Sequence, residues 1–176
     1  FVLITLSSCV GVALYLLAMN VYADFWTALR FASFNVVSIA TTTGYANTDY
    51  NLWPVFAPMW MLFLCCFVSC SGSTGGGIKL IRAQLLYRQL YREFVKLLHP
   101  DAVTPVKLGG QVIENKIVFA VLAFLFIYVC CVVTMTLMLL ASGLDAVTAF
   151  SAVIASINNT GPGLNQVGPA TTYEVL

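Results

Sequence analysis

Three long stretches of the chain carry no charged side chain: residues 1–23, a second inside 49–79 whose apolar part covers 52–70, and the most continuous one at 117–144. Crossing about 30 Å of hydrocarbon takes roughly 20 helical residues. Lipid offers the backbone no hydrogen-bond partners, so each stretch predicts a transmembrane helix. Tyr22 and Trp53 stand at the ends of two of them, as interfacial aromatics do. Segments 24–50 and 145–169 fit neither class. Too short and polar to span, yet too apolar for ordinary loops, they predict re-entrant segments. Both open alike, Asp24-Phe25-Trp26-Thr27-Ala28 and Asp145-Ala146-Val147-Thr148-Ala149, and both close on a Thr-Gly pair, Thr43-Gly44 and Thr160-Gly161. An Asp at a helix start caps free N–H groups and meets the positive end of the dipole. From Asp to Gly the copies run 20 and 16 residues, so the second half-helix should be about one turn shorter. The pattern is an internal repeat: span, half-helix, glycine-containing loop, span.

Segment 78–99 has a different rhythm. Leu80, Leu85, Leu86, Leu90, Phe94, Leu97 and Leu98 recur at helical spacing with Arg82, Arg88, Arg92 and Lys96 between them, which predicts an amphipathic or interface-lying helix. Two readings stand for it, an anchor on the inner leaflet and a docking surface for a soluble regulator. Segment 99–110 has too little periodicity to lie on a membrane. His99, before Pro100 at the helix end, is structural or capping, since no carboxylate–His–nucleophile set surrounds it.

Composition agrees with membrane residence. Residues of the AVILMFWYC set make up 60% of the chain, and charged ones only 9%, against about 25% in a soluble domain. This excludes a soluble globular domain, a disordered chain and a secreted disulfide scaffold. Cys9, Cys65, Cys66, Cys70, Cys130 and Cys131 all lie in apolar runs, where Cys behaves as a small hydrophobe, and no metal is expected on them. The chain starts at Phe1 without a basic signal-peptide region and reads as an excerpt. Seven of its eight basic residues, Lys79, Arg82, Arg88, Arg92, Lys96, Lys107 and Lys116, lie between the second and third spans. By the positive-inside bias that segment is cytoplasmic. The opposite face carries Asp24, Asp49, Asp145 and Glu174 against Arg30 alone, an acidic rim that suits a cation path.

The loops after the half-helices carry the candidate chemistry. Thr41-Thr42-Thr43-Gly44-Tyr45 and Asn158-Asn159-Thr160-Gly161-Pro162-Gly163 cannot face lipid with unpaired carbonyls. Turned inward, those carbonyls can replace the hydration shell of a monovalent cation, next to the negative dipole end of each half-helix. Gly44 and Gly161 allow backbone angles that a Cβ forbids. The string Gly72-Ser73-Thr74-Gly75-Gly76-Gly77 fails as a phosphate loop, because Ile78 intervenes before Lys79 and no Ser or Thr follows. It does break a transmembrane helix shortly after Cys70. Asn158-Asn159-Thr160 matches a glycosylation sequon but would sit inside the membrane and is set aside.

The chain resembles the TrkH/TrkG/KtrB potassium transporter family, most closely its TrkH branch. The resemblance rests on Ala40 through Tyr45, on Cys70-Ser71-Gly72-Ser73-Thr74-Gly75-Gly76-Gly77-Ile78-Lys79, on His99-Pro100 with Pro105 through Gly110, and on Asn159 through Leu164. It implies an all-α integral membrane protein of repeated transmembrane helix, re-entrant pore helix and transmembrane helix units, related to potassium channels. Residues 1–78 would be a third repeat ending in a Gly-rich intramembrane loop, 79–116 a cytoplasmic basic helix and loop, and 117–176 a fourth repeat lacking its last span. A selectivity filter is implied at Thr42, Thr43, Gly44, Tyr45, Asn159, Thr160, Gly161 and Pro162, with K+ at Thr43, Gly44, Thr160 and Gly161. Gly72, Ser73, Thr74, Gly75, Gly76 and Gly77 would be a gate. The implied partners are a cytoplasmic nucleotide-binding regulatory subunit, TrkA-like and docking at Arg88 and Arg92, a second copy of the full-length protein and membrane lipids, with no nucleic acid. No covalently bound cofactor is expected, K+ being the transported ion. Location is the bacterial inner membrane, multi-pass. With half of a four-sided filter, the fragment would not conduct alone. A sodium or mixed-cation transporter and a coupled secondary transporter with broken helices remain open. An intramembrane enzyme does not, because it would need a nucleophile–base pair or metal ligands at membrane depth and the spans hold no Asp, Glu, Lys, Arg or His.

Overall fold

The computed structural model describes residues 1–67, 72, 75–99 and 105–175. Among the described residues six helices carry the fold: α1 (Val2–Ala18), α2 (Phe25–Ala40), α3 (Phe56–Phe67), α4 (Leu80–Leu98), α5 (Asn115–Ala141) and α6 (Ala146–Ile157). Short 3-10 turns stand at Tyr50–Leu52, Asn165–Val167 and Tyr173–Val175. Between α4 and α5 a hairpin pairs β1 (Lys107–Leu108) with β2 (Gln111–Val112), Lys107 opposite Val112. The sequence implies only a loop there. The hairpin turns on Gly109 and Gly110, both at positive φ.

Helix ends explain where the predicted spans and the observed helices differ. At α1 the last turn closes with Asn20 in the left-handed region, its N–H donating to Leu17 and that of Val21 to Leu16. The helix is thereby 17 residues rather than the 23 expected. α3 starts at Phe56 rather than near Leu52, because Pro54 forces Trp53 into extended backbone (ψ 156°). Among the described residues only α5, with 27, is long and apolar enough by itself to cross a bilayer. The two shorter helices expected, α2 and α6, have 16 and 12 residues, the second shorter by about one turn as the spacing predicts.

The core gathers α1, α2, α3 and α6. Ala28, Ala32, Val36 and Ala40 recur at four-residue spacing along α2 and are fully buried. Such small side chains let helix backbones approach closely where lipid gives no hydrophobic drive. Cys9, Val12, Ala13 and Leu16 of α1 belong to the same cluster. Trp53 and Tyr22 are not an exposed belt. The Trp53 indole is buried and donates to the Tyr22 hydroxyl at 3.3 Å, while Tyr22 stacks on Phe31. Cys9, Cys65 and Cys66 pack as expected; Cys130 and Cys131 lie exposed on α5. Phe119, Phe126, Ile127 and Met138 are exposed with them, so this flank is apolar and uncovered, as on a helix meant for lipid or further protein. A second, small cluster of Leu85, Val106 and Val118 ties α4 and the hairpin to the start of α5. Arg82 adds a cation–π contact, its guanidinium 4.1 Å from the Phe124 ring centre.

Candidate functional site

The loops after α2 and α6 have one backbone. Both helices cap on a residue with ψ near zero, Thr41 and Asn158. The next residue is left-handed, Thr42 at φ 58° and Asn159 at φ 57°. In the first loop the N–H groups of Thr42 and Thr43 return to the carbonyls of Ile39 and Ser38. In the second those of Asn159 and Thr160 return to Ser156 and Ala155. This six-residue closure satisfies the last helical carbonyls from inside the loop. Thr42 is β-branched, and a left-handed β-branched residue is a rare conformation that marks a constrained position. Gly44 and Gly161 follow at φ 81° and 97°.

The arrangement leaves acceptors over. Among the described residues no hydrogen bond is donated to the carbonyls of Thr42, Thr43, Asn159 or Thr160. The two loops also touch: a Cβ on Gly44 would lie 2.0 Å from the Thr160 carbonyl oxygen and 3.2 Å from Pro162 Cδ. Thr160 itself is buried, its hydroxyl 2.8 Å from the Cys65 thiol of α3. Gly161 differs from Gly44 in having open space where a Cβ would stand, and its carbonyl accepts from the Tyr173 hydroxyl. Thr43, Tyr45 and Asn159 are exposed. Thr43 and Tyr45 line a cavity of about 510 Å³ with Arg30, Ser33, Phe34 and Thr41.

The starts of the half-helices are unequal. Asp145 accepts from the Thr148 N–H at 3.1 Å and from Asn165 Nδ2 at 2.9 Å. Those bonds, the Thr148 amide foremost, hold its carboxyl below the usual Asp range. Asp24 stands at the N-cap of α2 with extended backbone but makes no side-chain cap, against the expectation from sequence. Asn51 and Asn165 join the two halves on this face, Asn51 Nδ2 donating to the Asn165 carbonyl and Asn165 N–H to Asn51 Oδ1.

Of the glycine string, Gly72, Gly75, Gly76 and Gly77 are described; Ser73 and Thr74, with Cys70, Ser71 and Pro100, lie outside the described residues. The Gly76 N–H donates to the Asn158 carbonyl at 3.2 Å, so the end of the string meets the start of the second loop. Arg88 and Arg92 are engaged within the chain. Arg88 donates to the Lys107 carbonyl at 2.6 Å and Arg92 to Asn115 Oδ1 at 2.8 Å, which fastens α4 to the hairpin and to α5. Both also line a groove of about 890 Å³ with Tyr87, Tyr91 and Lys107.

Residues 17–174 match the family described as TrkH, cation transport protein. The chain belongs to the TrkH family. Its curated TrkH-family relatives include the Trk system potassium uptake proteins TrkH of Vibrio parahaemolyticus, 44% identical over 154 residues (88% of this chain, 32% of the relative), and of Escherichia coli, 40% identical over 148 (84% and 31%). The crystal structure of the potassium transporter TrkH from Vibrio parahaemolyticus superposes with a TM-score of 0.89 at 40% identity, covering all of this chain and 37% of that one. The chain thus spans about a third of the length of the TrkH-family proteins it matches. The helical membrane fold is that of the family.

Three polar residues at this site escape the sequence reading: Tyr128, Asn158 and Cys66. Asn158 was only the leading residue of a loop motif, and Cys66 only packing. Tyr128 carried a signal, as the one hydrogen-bonding side chain between Ile117 and Cys130 in an otherwise apolar run.

Proposed function

We propose that the full-length protein takes up K+ across the bacterial inner membrane through a pore whose selectivity filter includes Thr42–Tyr45 and Asn159–Pro162. The observation that carries this reading is the pair of touching loops with one backbone and unpartnered carbonyls at Thr42, Thr43, Asn159 and Thr160. Carbonyl oxygens so placed stand in for the hydration shell of a monovalent cation, and α2 and α6 aim their negative dipole ends at it. In this reading α2 and α6 are re-entrant pore helices, with K+ passing Thr43, Gly44, Thr160 and Gly161, and the string from Gly72 to Gly77 is the gate below. The potassium uptake named for the TrkH and TrkG relatives supports K+ as the ion. The full-length protein, purified and placed in vesicles, should admit K+ over Na+ by about ten-fold or more, a discrimination of about 1.4 kcal/mol. Equal Na+ and K+ entry, or none of either, overturns the reading.

The basic face belongs to the same proposal. A TrkA-like nucleotide-binding subunit would dock on the groove of Tyr87, Arg88, Tyr91, Arg92 and Lys107, and the uncovered flank of α5 would meet lipid or a second full-length copy. Rim charges act over about 8–10 Å and are screened by salt. Reversing Arg88 and Arg92 to Glu should therefore weaken capture of the regulator from detergent extracts, more at low salt than at high. The change also frees the hairpin and the start of α5 from α4, since the Arg88 guanidinium holds the first and that of Arg92 the second, and so removes shape together with charge. Unaltered capture would make α4 a lipid anchor only.

A further inference from the structure

One polar cluster joins three segments distant in sequence. Asn158 is fully buried. Its side-chain NH2 donates to the Tyr128 hydroxyl at 3.1 Å and to the Ile154 carbonyl at 2.8 Å, and it lies 3.8 Å from the Cys66 sulfur. The Tyr128 hydroxyl donates in turn to that sulfur at 3.7 Å. On the far side, the Asn158 carbonyl accepts from the Gly76 N–H, and the Cys66 carbonyl accepts from the Ile78 N–H at 3.0 Å. Gly77 rests between them so closely that a Cβ would stand 2.1 Å from Asn158 Oδ1 and 2.9 Å from the Cys66 carbonyl.

We propose that Tyr128 and Asn158 are positioning residues that clamp the end of the glycine string under the second loop, and so set how often the ion path is open without touching the ion. The inference rests on the conduction reading above. Gly76 and Gly77 have no side chains, so the string is held through its backbone and by what presses on it. Asn158 supplies one contact to each, a carbonyl for Gly76 and an amide oxygen against Gly77. The amide keeps its orientation because both its donors are used, one of them on a hydroxyl carried by a different helix. Asn158 is fully buried, and the other acceptor near that donor is the weakly accepting Cys66 sulfur at 3.8 Å. Removing the hydroxyl frees one donor of Asn158, loosens the amide, and lets Gly77 leave.

Tyr128→Phe removes the hydroxyl and keeps the ring. In vesicles holding the full-length protein without regulator, Rb+ entry should rise about five-fold, the population shift that one lost buried hydrogen bond allows. Preference for K+ over Na+ should stay as in the unaltered protein, which a loss of folded protein would not produce. Gly77→Ala presses on the same amide from the other side and should raise Rb+ entry likewise. The double variant should exceed neither single one, because both act through one contact. Rb+ entry at or below the unaltered level in Tyr128→Phe, at matched incorporation, overturns the clamp. So does a changed K+ over Na+ preference, which would put Tyr128 in the filter. If the unaltered protein admits no Rb+ at all, the conduction reading itself fails, and the clamp with it.

Discussion

Replacing Gly44 with Asp in the full-length protein is expected to abolish discrimination between K+ and Na+ while leaving membrane insertion intact. The substitution strikes twice. At φ 81° any side chain is strained, by roughly 1–2 kcal/mol. A Cβ there would also stand 2.0 Å from the Thr160 carbonyl oxygen, so one of the two loops must move. The added carboxylate then brings a full charge to where only carbonyl dipoles stood. Gly161 has the same backbone problem and open space for the Cβ. Gly161→Ala should therefore reduce discrimination less than Gly44→Ala does. Ion competition for Rb+ entry measures both, and unchanged K+ over Na+ preference in Gly44→Asp would sink the filter assignment.

Shortening the glycine string should have the opposite sign, raising basal conduction about ten-fold if the closed state is favoured by about 1.4 kcal/mol. The two ends of the connection already meet, since the Ile78 N–H reaches the Cys66 carbonyl at 3.0 Å. Removing residues 72–77 therefore shortens the connection between those ends without pulling α3 from α4. The clamp contacts at Gly76 and Gly77 go with it, and so does whatever backbone stood in the ion's way. Rb+ entry equal to or lower than that of the unaltered protein, at equal expression, would make the string a helix terminus and nothing more.

The long apolar stretches, the half-helices and the difference of one turn between them were legible from the sequence because each depends on local rules. Hydropathy, an Asp at the start and a Thr-Gly at the end are read residue by residue. The true ends of α1 and α3 were less so, for they depend on a left-handed Asn20 and on what Pro54 does to Trp53. The uncapped Asp24 shows the limit of the rule: position gives a residue the chance to cap, and neighbours decide whether it does. Asp145 has Asn165 to hold its carboxylate in place, and among the described residues Asp24 has no such partner. Least legible was the cluster of Tyr128, Asn158 and Cys66, whose members stand 30 to 92 residues apart. Nothing in local pattern brings them together. Only packing of α3, α5 and α6 does.

The two loops also say which dimension of such a protein is free to drift. The Asp residues that begin the half-helices are 121 positions apart, whereas the glycines that end the loops are 117 apart. The copies thus differ by one turn of helix, while the closures that follow share the same two bonds, Thr42 to Ile39 and Thr43 to Ser38 in one, Asn159 to Ser156 and Thr160 to Ala155 in the other. Lengths here are measured from the inside out. A builder of variants can add or remove a turn near Asp24 and expect the loop closure to keep its form, while a single residue inserted after Val37 would rotate every carbonyl beyond it by about 100°.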